Sequence, residues 1–312
     1  MRNVFVKSLI KESERDKDLI LLTGDLGFQT FEEFAQKYPK QFYNLGNAEA
    51  NMVGVAAGLA LAGKKIFVYS IASFMTMRCY EQIRNDVCQP NLNVKFIGVG
   101  GGFSYGNQGF SHNTIEDLAI MRVLPNMVVL CPADKIEAKL AIQEAFKWSG
   151  PVYLRLGKAG QKKIYSRQPK FEIGQGLLVN KGKDITLVSI GNIIEDVLVM
   201  DRRLKEQGLS VRVISMPCLK PFNSKIVLKA AKETKAIFTI EEHSLIGGLG
   251  SCLAETLLET DYSNILFKRF AIPDRYCPEI GSQSYLRQIN GLSIEKIIKD
   301  ILKKIRRRYN RI

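Results

Sequence analysis

The sequence predicts a two-domain α/β protein, each domain a mainly parallel sheet flanked by helices. Three observations point there. The chain has 312 residues, 46% of them hydrophobic and 24% charged, which is enough for about two cores at roughly 150 residues per domain. Short β-branched apolar runs alternate with helical stretches, the pattern of strands joined by crossover helices. Residues 158–172 mix Gly, Lys, Gln, Ser and Pro without periodicity. They read as a linker between domains at 1–157 and 173–312.

In the first half, Leu19–Leu22 reads as a strand ending at Thr23-Gly24-Asp25. A small-residue helix lies within Gly46–Leu61, stopped by Gly63-Lys64-Lys65. Ile66–Tyr69 is the next strand, followed by a helix ending near Pro90. Val94–Val99 is a β-branched strand feeding a glycine-rich loop that runs to Gly109, with a short helix expected at Thr114–Met121. Met127–Cys131 reads as a strand, and Asp134 with Glu137 as the start of a capped helix. Val152–Leu156 closes this half. The second half repeats the alternation, with strands at Ile185–Ile190, Val211–Ile214, Ala236–Ile240 and Leu266–Phe270. A last helix starts near Ser293, with Glu295 in its first turn.

Composition excludes several classes. The net charge of +14 reads as a lysine-rich surface plus the basic end Lys303–Arg308, because charge blocks are usually solvated. No nucleic-acid motif accompanies it, so nucleic acid is not an expected partner. The most apolar stretch, Met52–Gly63, is too short to span a bilayer, and Met1–Lys7 shows no signal-peptide pattern. The six cysteines form no metal-like spacing, so no metal site is expected. Reduced thiols and a cytoplasmic location are the expectation. Nucleotide fingerprints are lacking: Gly98 and Gly100 are followed by Phe103 at the required third position, and Gly247–Ser251 reads as a close helix entry.

The stretch Gly46–Ala60 carries the chemistry. Glu49 is the one carboxylate at the start of a nearly uncharged helix. Such an acid can simply face the positive end of the helix dipole. The Gly and Ala run around it lets another backbone approach closely, and desolvation there favours a neutral carboxyl able to donate a hydrogen bond.

Gly46-x-x-Glu49-x-x-Met52 resembles the pyrimidine-binding domain of thiamine diphosphate enzymes of the transketolase group. Ser73-Phe74 through Arg78-x-Tyr80-Glu81-Gln82-Ile83-Arg84-Asn85, Gly106–His112, Leu124–Asp134 and Gly150–Leu156 continue the resemblance in order. Glu241-Glu242-His243 and Gly247–Ser251 are similar to the group's C-terminal domain.

The resemblance implies a fold and a set of roles. Thiamine diphosphate must lose a ring proton to become a nucleophile, and a carboxyl bonded to its pyrimidine nitrogen N1′ promotes this. Glu49 takes that role by resemblance. Phe74 is the platform for the pyrimidine face or, alternatively, ordinary core packing. Arg78 joins the cofactor-binding set. Asp25 supports the cofactor site or the subunit contact, or is a plain turn acid. His112 is a substrate-contacting proton shuttle by resemblance, or a helix-start residue bonded to backbone. His243 is left structural.

Departures from the group matter as well. Sugar-phosphate transketolases carry a histidine where this chain has Gly100, and an acid where it has Gln108. Gln108 is placed with the substrate all the same. Arg155 is read as a phosphate partner or as a surface strand-end arginine. The Gly-Asp-Gly segment that grips diphosphate and metal is not found here. The resemblance therefore implies the C-terminal half of a split enzyme. An N-terminal transketolase subunit would hold the diphosphate and Mg²⁺ or Ca²⁺, in an α2β2 heterotetramer. The expected reaction moves a two-carbon ketol unit from a ketose to an aldehyde, with a modified or nucleotide-linked sugar as substrate. The β subunit of a 2-oxoacid dehydrogenase E1 component and a non-catalytic assembly subunit are the alternatives.

Overall fold

The computed structural model describes residues 1–158 and 162–309. Among the described residues twelve strands form two sheets: β1 Leu19–Thr23, β2 Phe42–Asn44, β3 Lys65–Ile71, β4 Val94–Val99, β5 Val128–Leu130, β6 Val152–Leu156, β7 Leu177–Asn180, β8 Ile185–Ile190, β9 Val211–Ser215, β10 Cys218–Lys220, β11 Ala236–Ser244 and β12 Leu266–Ile272. The first sheet runs β10-β5-β6-β4-β3-β1-β2 and the second β12-β11-β8-β9-β7. Pairings are parallel except β10 with β5 and β7 with β9. The mainly parallel two-domain architecture is the expected one. β1 is buried along its whole length and is apolar up to Thr23, because helices cover both sides of a parallel sheet; β4 is buried as fully but carries Lys95, whose ammonium is held by the Asn93 side chain and the Trp148 and Gly150 carbonyls.

Four features differ from the sequence reading. An amphipathic helix, Arg2–Ser13, precedes β1 and buries Phe5, Val6 and Leu9. The helix expected to end near Pro90 is three segments, Ala72–Met77, Tyr80–Gln82 and a π-type turn at Ile83–Cys88. The expected Thr114–Met121 helix starts later, at Asp117–Val123. Finally, β10 crosses from the second half of the chain to become an edge strand of the first sheet. The two halves thus share a sheet, and a core cluster runs across them from Leu22 and Met52 to Ile214 and Leu253. The segment after β6 packs back on the first domain: Tyr165 donates to Glu137 Oε1 at 2.6 Å and the Ile164 amide to Asp134 Oδ2 at 2.9 Å.

Order along the first sheet places the functional end. The chain leaves β1 for β2 on one side and returns to β3 on the other. Strand order reverses about β1, and crevices beyond the carboxyl ends of strands at such a reversal are where α/β sheets bind ligands. Gly24 and Asp25 follow β1, Gly46 follows β2, Phe74 follows β3 and the 100–112 loop follows β4.

Candidate active site

Glu49 opens the helix Glu49–Leu61 and is 2% exposed. Its helix has no side-chain cap, so the carboxylate in the first turn faces unpaired amides. Ser70 Oγ, at the end of β3, donates to Glu49 Oε1 at 3.3 Å, and Arg78 Nη1 donates to Oε2 at 3.1 Å. The backbone closes in from the other side. A Cβ on Gly24 would lie 3.3 Å from Gly46 O and 3.7 Å from Glu49 Oε1, so only a residue without a side chain leaves that space free.

Phe74 lies one turn into the helix Ala72–Met77. The Arg78 guanidinium carbon sits 3.9 Å over its ring centroid, and the His112 ring meets it edge-on at 5.1 Å. Glu49, Arg78, Phe74 and His112 therefore form one continuous wall. His112 closes the short helix Phe110–His112 and pairs Nδ1 with Ser111 Oγ at 3.0 Å. Ser73 Oγ donates to the Ser111 carbonyl at 3.1 Å and ties that loop to the Phe74 helix. Burial first, and the charge of Arg78 second, hold the His112 imidazole below its usual 6.5.

Asp25 is exposed and adopts φ +54°. Its amide donates to Asn44 Oδ1 at 2.8 Å and its Oδ1 accepts from Asn44 Nδ2 at 3.1 Å. Asn44 Oδ1 also takes the Gly46 amide at 3.0 Å, so this pair shapes the backbone beside Glu49. Gln108 is exposed in the turn Gly106–Gln108, four residues before His112.

Arg155 is elsewhere, which corrects both readings of it. It is 6% exposed on β6, faces Asp117 Oδ2 at 3.5 Å, and donates to Thr114 O and Glu242 O at 3.2 and 3.0 Å. Neither a surface arginine nor a substrate-phosphate partner fits that interior place. It is a strut between the domains. Glu242 beside it accepts from the Phe103 amide at 2.8 Å and from Arg287 Nη2 at 2.6 Å, fixing the start of the His112 loop from the second domain. The buried Glu241 instead receives the Leu249 and Gly250 amides, both at 2.7 Å, which explains the close helix entry at Gly247–Ser251.

Sequence reasoning missed Ser70 and Tyr105 and gave Ser73, named only within a motif, no role. The Tyr105 ring packs where a Gly100 side chain would project: a Cβ there would meet Tyr105 Cε2 at 2.0 Å, with φ +86°. No histidine fits at that position. Among the described residues no group of three or more His, Cys, Asp or Glu could hold a metal ion, and no helix is long and apolar enough to cross a membrane. All six cysteines are buried and free.

A two-sheet α/β chain with a helix-start carboxylate buried at the sheet's reversal point defines the class as a pyrimidine-binding domain joined to a C-terminal α/β domain. Residues 1–161 match the transketolase pyrimidine binding domain and residues 174–297 the transketolase C-terminal domain. The chain belongs to the transketolase family. It is 33% identical over 308 residues to an apulose-4-phosphate transketolase subunit of Phocaeicola vulgatus, covering 98% of this chain and 97% of that one. It is 33% identical over 300 residues to the 6-deoxy-6-sulfo-D-fructose transketolase subunit SqwH of Clostridium sp. (strain MSTE9), covering 96% and 92%. A solved split-gene transketolase, an inactive β4 tetramer, superposes with a TM-score of 0.89 at 36% identity over 97% of each chain.

Proposed function

We propose that this chain is the C-terminal subunit of a two-component transketolase, which moves a two-carbon ketol unit from a ketose donor to an aldehyde acceptor. The observation that carries the reading is the Glu49 carboxylate, buried at a helix start beside the Phe74 face in a chain of this family. The cofactor implied is thiamine diphosphate. The residues present fit its pyrimidine end: a carboxyl reachable along an aromatic face, with the Gly24–Gly46 backbone leaving room beside it. Its diphosphate and Mg²⁺ are assigned to an N-terminal partner subunit.

When bound, thiamine diphosphate supplies the carbon nucleophile that takes up the ketol unit. This chain's residues hold and orient. Glu49 would hold a hydrogen bond at the pyrimidine nitrogen N1′, and Phe74 would offer its face to the ring. With Nδ1 engaged by Ser111, the His112 ring exchanges a proton at a substrate oxygen through Nε2. Its lowered pKa keeps it an acceptor near neutral pH. Gln108 offers a neutral amide to the sugar, and Asp25 maintains the turn next to Glu49. The named substrates of the two relatives and the tyrosine packed over Gly100 support a modified sugar. Exposed Phe110, Tyr276, Ile280 and Tyr285 beside the His112 loop support a docking face for the partner, in an α2β2 assembly.

The test is reconstitution. The chain with its N-terminal partner, thiamine diphosphate and Mg²⁺ should transfer ketol units, and the chain alone should not. In the pair, Glu49→Gln should remove nearly all turnover while assembly persists. Full activity of that variant, or of the chain alone, would overturn the reading. Pyruvate decarboxylation by the pair would point to a 2-oxoacid dehydrogenase instead.

A further inference from the structure

Arg78 makes both contacts that an aminopyrimidine would need. Its guanidinium carbon lies 3.9 Å over the Phe74 centroid. Its Nη1 donates to Glu49 Oε2 at 3.1 Å and lies 3.5 Å from Asn47 Oδ1. A guanidinium is planar, weakly hydrated and stacks on aromatic faces while donating N–H bonds in its plane. An aminopyrimidine is also a flat ring with N–H donors at its edge. One ring face and one carboxylate oxygen cannot serve both planes together.

Burial says which partner moves. The Glu49 side chain is 1% exposed and that of Arg78 47% exposed. The acid is fixed in the first turn of its helix, whereas the arginine reaches in from the solvent side and can turn back to water. While it stays, Glu49 is not left unpaired in the interior, which would be costly.

Resting on the reading of Glu49 and Phe74 as the pyrimidine site, we infer that Arg78 is a gate: its guanidinium fills the place of the aminopyrimidine ring and swings out when the ring enters. The cofactor-binding assignment of Arg78 thereby becomes a competitive one. The exchange replaces the guanidinium N–H on Glu49 Oε2 by a hydrogen bond to N1′; the neutral ring carries no hydrogen there, so one proton taken up from solvent, on Glu49 or on N1′, completes that bond. The closed gate lowers the apparent affinity by the fraction of chains that are open.

The test uses the full chain and the cofactor's aminopyrimidine half, 4-amino-5-hydroxymethyl-2-methylpyrimidine, titrated by calorimetry. Arg78→Ala should bind it about tenfold more tightly than the natural chain, and Arg78→Lys, which keeps the charge and loses the plane, about threefold more tightly. Glu49→Gln should weaken binding in every background. Circular dichroism checks folding, and if Arg78→Ala does not fold, Arg78→Lys carries the comparison. Equal or weaker binding by the Arg78 variants, with Glu49→Gln still weakening it, refutes the gate and leaves the site reading intact. No effect of Glu49→Gln in any background removes both. A probe that no variant binds refutes the gate too, because a cleared site should accept the ring.

Discussion

Removing Arg78 and removing the charge of Glu49 break the same ion pair, yet the two changes should have unequal costs. In Arg78→Ala the carboxylate, 1% exposed in the natural chain, keeps of its two side-chain partners only the Ser70 hydroxyl at 3.3 Å. Stranding one partner of a fully buried pair costs about 3–5 kcal/mol. Here the departing side chain was half-exposed and opens a path for water, so about 2 kcal/mol is expected. In Glu49→Gln the volume is kept and Arg78, 47% exposed, turns to solvent, so the loss should stay below about 1 kcal/mol. For a unit of this size, thermal unfolding should show a drop of about 4–8 °C for Arg78→Ala and less than about 4 °C for Glu49→Gln. The double variant should be more stable than Arg78→Ala alone, since it has no charge left to strand. Equal losses in the two single variants, or no recovery in the double, would refute the reasoning.

Other outcomes follow from the same geometry. Gly102→Ala should destabilise the chain by about 2 kcal/mol or more, because φ is +66° and the new Cβ would lie 2.5 Å from Glu242 Cδ; an unchanged melting temperature would contradict this. His243 is pushed down to about 4 by burial, with Nε2 accepting the Ala119 amide and Nδ1 at 2.9 Å from Ser244 O. Its folded value lies below the unfolded one, so its contribution to stability is complete above about 6.5 and is lost as pH falls through about 4. NMR titration should find His243 neutral at pH 5, and a midpoint near 6.5 would defeat the argument. In the reconstituted pair, His112→Ala should lower sugar turnover by about 10²-fold or more with a much smaller loss of cofactor affinity. Equal losses in the two would remove His112 from substrate proton transfer.

The legible parts of the fold were those set by local pattern. β4, β6 and β8 are short, mostly apolar runs buried on both faces, and the structure gives them the expected bounds. Asp134 caps its helix through the Ile136 and Glu137 amides, as its position before an apolar run implies. Non-local pairings left no such mark. β10 is three residues long, and its partner β5 lies far back in the sequence. The Arg2–Ser13 helix buries only Phe5, Val6, Leu9 and Ser13, and the further apolar residues Val4 and Ile10 lie outside that stripe, which blurred its period. Within the site, Glu49 was visible because it is a lone acid in a small-residue helix. The Arg78 stack on Phe74 was not, because a one-turn spacing on a short helix says nothing about which way a guanidinium points. Arg155 misled for the same reason: strand pattern gives the face, and only tertiary packing against Asp117 and Glu242 shows that the face is interior.

The most direct measurement is a structure of the assembled enzyme with thiamine diphosphate bound. The account predicts a Glu49 carboxyl oxygen within about 2.6–3.2 Å of the pyrimidine nitrogen N1′, the ring lying on Phe74 and Arg78 turned away. A pyrimidine ring seated elsewhere, with Glu49 still paired to Arg78, would contradict it.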